Sequence, residues 1–128
     1  MANLLASGVA ALHVHRKAHM SSPVVYSRGA ASVTISATVG RTAFEAEDDS
    51  GFVQRVVARD YIFDAADLVL EGSPVEPQAG DEIRETVGST VFVHELMPVP
   101  GEGAWRWSDP HRVAYRVHTK QTGTEAAP

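Results

Sequence analysis

From Ser32 to Val39 the chain alternates without a slip, Ser32, Thr34, Ser36 and Thr38 being polar and Val33, Ile35, Ala37 and Val39 apolar. Side chains of an extended strand point to opposite faces in turn, so this period of two specifies a half-buried β-strand and excludes a helix over the same residues. The pattern returns near the end of the chain, where Val113, Tyr115, Val117 and Thr119 alternate with Arg112, Ala114, Arg116 and His118. Between Phe52 and Phe63, β-branched and aromatic residues are interspersed with Arg55, Arg59 and Asp60, which suits a strand with a wet outer face.

The punctuation between these runs favours hairpins. Val24, Val25 and Tyr26 lead to a turn at Arg28-Gly29, and Ile83 to Val87 and Thr90 to Leu96 flank Gly88-Ser89. A two-residue Gly-Ser loop suits a type II′ turn, in which glycine supplies the positive φ. Asp64 is placed to cap a short turn through Leu68, and EGSPVEPQAGDEI is a connector rich in proline and glycine. Residues 40–51 show no consistent apolar period, so they are expected as a long exposed loop. Pro98, Pro100, Gly101 and Gly103 mark a second loop.

The first residues have a different texture. Leu5, Val9 and Leu12 fall at i, i+4 and i+7, which predicts an amphipathic helix over residues 3–18, ended by Pro23. The expected fold is therefore mainly β: a small antiparallel β-barrel or sandwich with an N-terminal α-helix and long loops. Residues 1–120 form one domain in this reading, and residues 121–128 a disordered tail.

A chain of 128 residues can hold a core unaided, since folding at this size buries roughly 68–70% of the unfolded surface. It has no cysteine, which excludes disulfides, thiolate metal sites and cysteine nucleophiles. The apolar stretch from Leu4 to Leu12 has no preceding Lys or Arg, the wrong order for a signal peptide, and no run reaches membrane-spanning length. Sixteen acidic against eleven basic residues give a net charge of -5, which opposes non-specific nucleic-acid binding. The charges are also segregated. Glu45, Glu47, Asp48 and Asp49 form an acidic knot, whereas Arg106, Arg112, Arg116 and Lys120 oppose Asp109 alone in residues 104–120. Such patches let copies of one chain meet through complementary surfaces.

Catalytic constellations are lacking. His15 and His19 share a helical face and lie near His13, but Arg16 stands where a zinc-protease helix carries glutamate. No G-x-S-x-G sequence or phosphate loop is present, and the carboxylates at 45–49 have no apolar pocket to raise a pKa. No catalytic, cofactor or metal residue is assigned, and no enzymatic activity is expected. Trp105 and Trp107 flank Arg106 and face one side of a strand, either plugging the core or forming an aromatic contact surface. The candidate interface residues are thus Glu45, Glu47, Asp48, Asp49, Trp105, Arg106, Trp107, Arg112 and Arg116.

In order along the chain, VVYSRG, VTISATVG, RDYIFDAADLVLEG, the turn built from Pro77, Gly80, Asp81 and Ile83, and WRWSDPHRVAYRVHTK resemble the head completion, or head-tail joining, proteins of tailed bacteriophages, often called stoppers. The resemblance covers about residues 1–120. It implies a small β-barrel with a helix and long loops, acting in the virion neck without catalysis after synthesis in the host bacterial cytoplasm. It also implies a homo-oligomeric ring below the portal and adaptor that retains packaged DNA without reading its sequence and offers the tail a docking surface. A tail terminator of the same neck, or a barrel-type nucleic-acid-binding module using Trp105 and Trp107, are the alternative functions. No membrane partner or cofactor is implied.

Overall fold

The computed structural model describes residues 21–128. Nine strands follow one another: β1 (Ser22–Arg28), β2 (Ala31–Glu47), β3 (Val53–Asp64), β4 (Val69–Leu70), β5 (Ser73–Pro74), β6 (Glu82–Val87), β7 (Thr90–Leu96), β8 (Trp105–Trp107) and β9 (Ala114–Ala126). Seven of them form one antiparallel sheet in the order β3-β2-β1-β6-β7-β9-β8, and β4 and β5 form a separate two-stranded hairpin.

The alternating segment at 32–39 lies in β2, where Ile35 and Ala37 are buried between more exposed neighbours. The hairpin turns follow from their glycines. Gly29 and Gly88 have φ of 59° and 62°, while Ala30 and Ser89 stay out of the left-handed region, which leaves glycine alone in the first turn position as a type II′ loop requires. Asp64 does precede a single 3-10 turn, Ala65–Asp67, but its side chain makes no capping hydrogen bond there.

The sheet curls until β3 meets β9, with Arg59 to Asp64 paired to Ala114 to Thr119. It is nevertheless one curled sheet and not the closed barrel or sandwich that was expected. The outer half of β9 runs along β7 instead, and β8 remains beyond β9 as an edge strand. Tyr26, Tyr61, Phe63, Ile83, Leu96 and Val117 fill the concave face. Tyr26 and Tyr115 each meet Phe63 edge-on, at ring separations of 5.9 Å.

Two further expectations are corrected. Residues 40–51 are not a loop: β2 continues to Glu47 and pairs in register with β3 as far as Val53, so only a short turn is left at the tip. The apolar period is weak there because neither face of this stretch meets the core. Residues 121–126, expected as a disordered tail, instead extend β9 along β7, from Gln121 opposite His94 to Ala126 opposite Thr90. Their polar composition hid this, since main-chain pairing holds them rather than burial. The helix expected at residues 3–18, with His13, His15 and His19, lies outside the described residues.

Candidate functional site

β1 stops pairing with β2 at Ala37, and β9 stops pairing with β3 at Arg59. Beyond those points, among the described residues, β2 and β3 pair only with each other and project as a two-stranded ribbon. One of its faces continues the concave core face, because cross-strand partners share a side: Val39 with Tyr61, Arg41 with Arg59, Ala43 with Val57, Glu45 with Arg55 and Glu47 with Val53. Buried Tyr61 begins this series, but Val39, Val57 and Val53 are 42%, 51% and 62% exposed. Large apolar side chains are thus left open on a two-stranded ribbon, although a lone hairpin is only marginally stable in water.

The four acidic residues that cluster in the sequence, expected in a long loop, lie at the ribbon's end. Glu45 and Glu47 lie exposed on β2, and Asp48 and Asp49 open the turn. Asp48 shapes that turn by accepting hydrogen bonds from the backbone N–H groups of Ser50 and Phe52, each at 2.9 Å. Gly51 takes φ of 84°, and Phe52, immediately after it, is 71% exposed.

The expected basic partners are divided. Arg112 is exposed in the turn before β9, with φ of 60°, whereas Arg106 is exposed on β8 beside Glu102 at 3.2 Å. Arg116 is committed within the subunit. Its Nε donates to Asp60 at 2.7 Å and its Nη2 to the carbonyl of Arg41 at 2.9 Å. The two tryptophans do face one side, and they pack against the core rather than standing as an open platform. Trp107 stacks on Tyr115 at 4.7 Å, and Trp105 meets Tyr115 edge-on at 5.0 Å.

Sequence reasoning missed the buried polar anchors. Asp60 is fully buried on the convex side of β3 and also receives Thr42 Oγ1 and His118 Nδ1, the latter at 2.9 Å. His118 Nε2 lies 2.8 Å from Glu102 Oε2, so the 98–103 loop closes over this pair. Burial works to raise the Asp60 carboxyl, but the bonds from His118, Thr42 and Arg116 outweigh it and hold the group below the usual carboxylate range. A second anchor explains the turn beginning at Pro77. Gly80, at φ of 93°, delivers Asp81 to the Tyr26 hydroxyl and to Arg28 Nε at 2.9 Å, joining that turn to the VVYSRG segment. Their signal in the sequence was motif membership alone.

At the mouth of the concave face, a cavity of about 290 Å³ is lined by Arg59, Glu85, Val87, Phe92, His94 and Gln121. Glu85 binds Arg59 Nη2 at 2.8 Å and the Tyr61 hydroxyl at 2.7 Å. Those bonds lower its pKa against the opposing effect of burial. Burial, reinforced by the Arg59 charge, pushes His94 below its ordinary value. Among the described residues, no cluster of three or more acidic or histidine side chains is placed to hold a metal ion.

The described residues thus form a braced sheet with an exposed ribbon, and comparison with known families decides its context. The family model of the phage head-tail joining proteins matches residues 2–126. The chain belongs to that family. No curated protein matches the chain. As a head-tail joining protein it is a structural component of a phage virion and acts alongside other head and tail proteins. No helix among the described residues is long and apolar enough to cross a membrane.

Proposed function

We propose that this head-tail joining protein is a stopper: copies assemble as a ring below the portal and adaptor, help retain packaged DNA, and present the surface on which the tail docks. The observation that carries the reading is the family match along residues 2–126, and the projecting ribbon adds a physical reason for assembly. A ring subunit makes a heterologous contact, so it needs two unlike surfaces. The ribbon's acidic end, with Glu45, Glu47, Asp48 and Asp49, serves as one. Arg116 is held by Asp60 inside the subunit, so the basic counterpart on the neighbouring copy comes from another part of the surface. The open edge of β8, with Trp105, Arg106 and Trp107, and the nearby Arg112 turn face the adjoining head or tail protein. DNA passes without sequence-specific contacts, and the net charge of -5 keeps it from adhering.

Deleting the gene from its phage and examining the products by electron microscopy tests this role. Heads separate from complete tails, rejoined on complementation, are expected; normal virions without the chain would refute the assignment. Co-purification separates the terminator alternative, because a stopper binds the portal-adaptor assembly and a terminator the tail tube. Unchanged tryptophan fluorescence with single-stranded oligonucleotide at low salt removes the nucleic-acid module.

A further inference from the structure

The ribbon carries two complementary surfaces at opposite ends. At its base, Val39, Gly40, Arg41, Val57, Ala58 and Arg59 line an open groove of about 480 Å³. The groove is apolar along its valines and cationic at its arginines. At the tip stand exposed Phe52 and the carboxylates of Glu47 and Asp49. Among the described residues, Arg41, Glu47 and Asp49 form no ion pair within the subunit. They cannot pair with each other on one ribbon. Arg41 and Glu47 are six positions apart on one extended strand, which separates them by roughly 20 Å at the strand rise of about 3.3 Å per residue.

We infer that the ribbon tip of one copy seats in the base groove of the next, with Phe52 against Val39 and Val57 and with Glu47 and Asp49 on Arg41 and Arg59. The occupant is a second copy of this chain because the chain itself carries both halves of the match: an aromatic knob beside carboxylates, and an apolar groove beside guanidinium groups. Tip and groove are different surfaces, so the contact is heterologous and propagates from copy to copy, as ring closure requires. Arg59 keeps its bond to Glu85 on the far side of the groove, which fixes its guanidinium, while Arg41 brings an uncompensated charge. This contact rests on the stopper reading and names the surfaces that reading leaves open.

The chain has no cysteine, so introduced thiols are unique. The test places Arg41→Cys and Asp49→Cys together in the full chain and oxidises both the concentrated protein and virions carrying it. A ladder of covalent multimers on a non-reducing gel is expected from the double variant, and none from either single variant. Products that stop at dimers, cross-linking by a single variant, or no cross-linking in virions that contain the chain would overturn the tip-to-groove contact and leave the neck assignment standing. Absence of the wild-type chain from virions would remove both. As a second measurement, Arg41→Glu or Asp49→Arg alone is expected to lower incorporation about tenfold, and combining Arg41→Glu with Asp49→Arg to restore most of it. A double variant no better than either single one would also refute the pairing. Both positions are exposed, so urea denaturation midpoints should match the parent's and separate lost assembly from lost folding.

Discussion

β2 and β3 each live in two environments. In their inner halves, Ile35, Ala37, Tyr61 and Phe63 are at most 3% exposed, walled by β1 on one side and β9 on the other. In their outer halves the same pairing and the same alternation continue, yet Val39, Val53 and Val57 stand open to solvent. Backbone conformation and register do not change across the boundary; what changes is whether a third strand lies alongside. Alternation thus encodes a strand, while burial is conferred by neighbours, and a subunit can carry half of an interface in strands that its own sheet leaves uncovered. The polar anchors follow the same boundary, since Asp60, His118 and Arg116 brace the last fully packed rungs before the ribbon begins.

The contrast can be broken most severely from the inner side. Asp60→Ala removes the buried carboxylate shared by His118 Nδ1 and Arg116 Nε and should cost about 3–5 kcal/mol in urea denaturation, as removal of one partner from a buried ion pair does. Phe63→Ala, at a fully buried site, should cost a similar amount, about 3–5 kcal/mol. A loss below about 1 kcal/mol in either variant would mean that these contacts do not brace the inner half. Tyr26→Phe removes one donor from Asp81 while Arg28 and the Gln78 N–H remain, so about 1 kcal/mol is expected.

A pH series probes the packed half, where the titrating anchors lie. The pKa of His94 is lowered by folding, so as pH falls through about 6.5 the unfolded chain takes up a proton that the folded chain refuses, and stability declines. The decline levels off below the folded pKa. The depressed pKa of Asp60 acts in a separate, lower window: its contribution is present above the ordinary carboxylate range and is lost as pH falls through the lower folded value. His94→Phe should abolish the upper decline and spare the lower one, and an unchanged upper decline would assign it to another group. The smallest effect on stability belongs to the tip. Phe52→Ser should shift unfolding by less than about 0.5 kcal/mol while impairing assembly, and a large stability loss there would show that the ribbon is packed within its own subunit.

What the sequence disclosed follows the same divide between local and distant causes. The strand at 32–39, the Gly88-Ser89 turn and the shared side of Trp105 and Trp107 depend on neighbours along the chain and were legible. The outer ribbon was not, because Thr42, Phe44 and Ala46 opposite Arg41, Ala43 and Glu45 give little apolar contrast between two partly wet faces. Residues 121–126 were missed for a related reason, since pairing with β7 is a property of the fold rather than of their composition. Arg116 read as a surface cation because its acceptor Asp60 lies 56 positions away. The acidic knot was legible as a cluster, but its position at the end of a ribbon, beside an exposed phenylalanine, became evident only with the strands paired.

Cryo-electron microscopy of the neck of the phage that encodes this chain would show whether its copies form a ring there. A ring of these curled sheets between the portal-adaptor assembly and the tail, with each ribbon reaching the next subunit, is the predicted result. A neck fully accounted for by other chains, with this one absent from the virion, would contradict it.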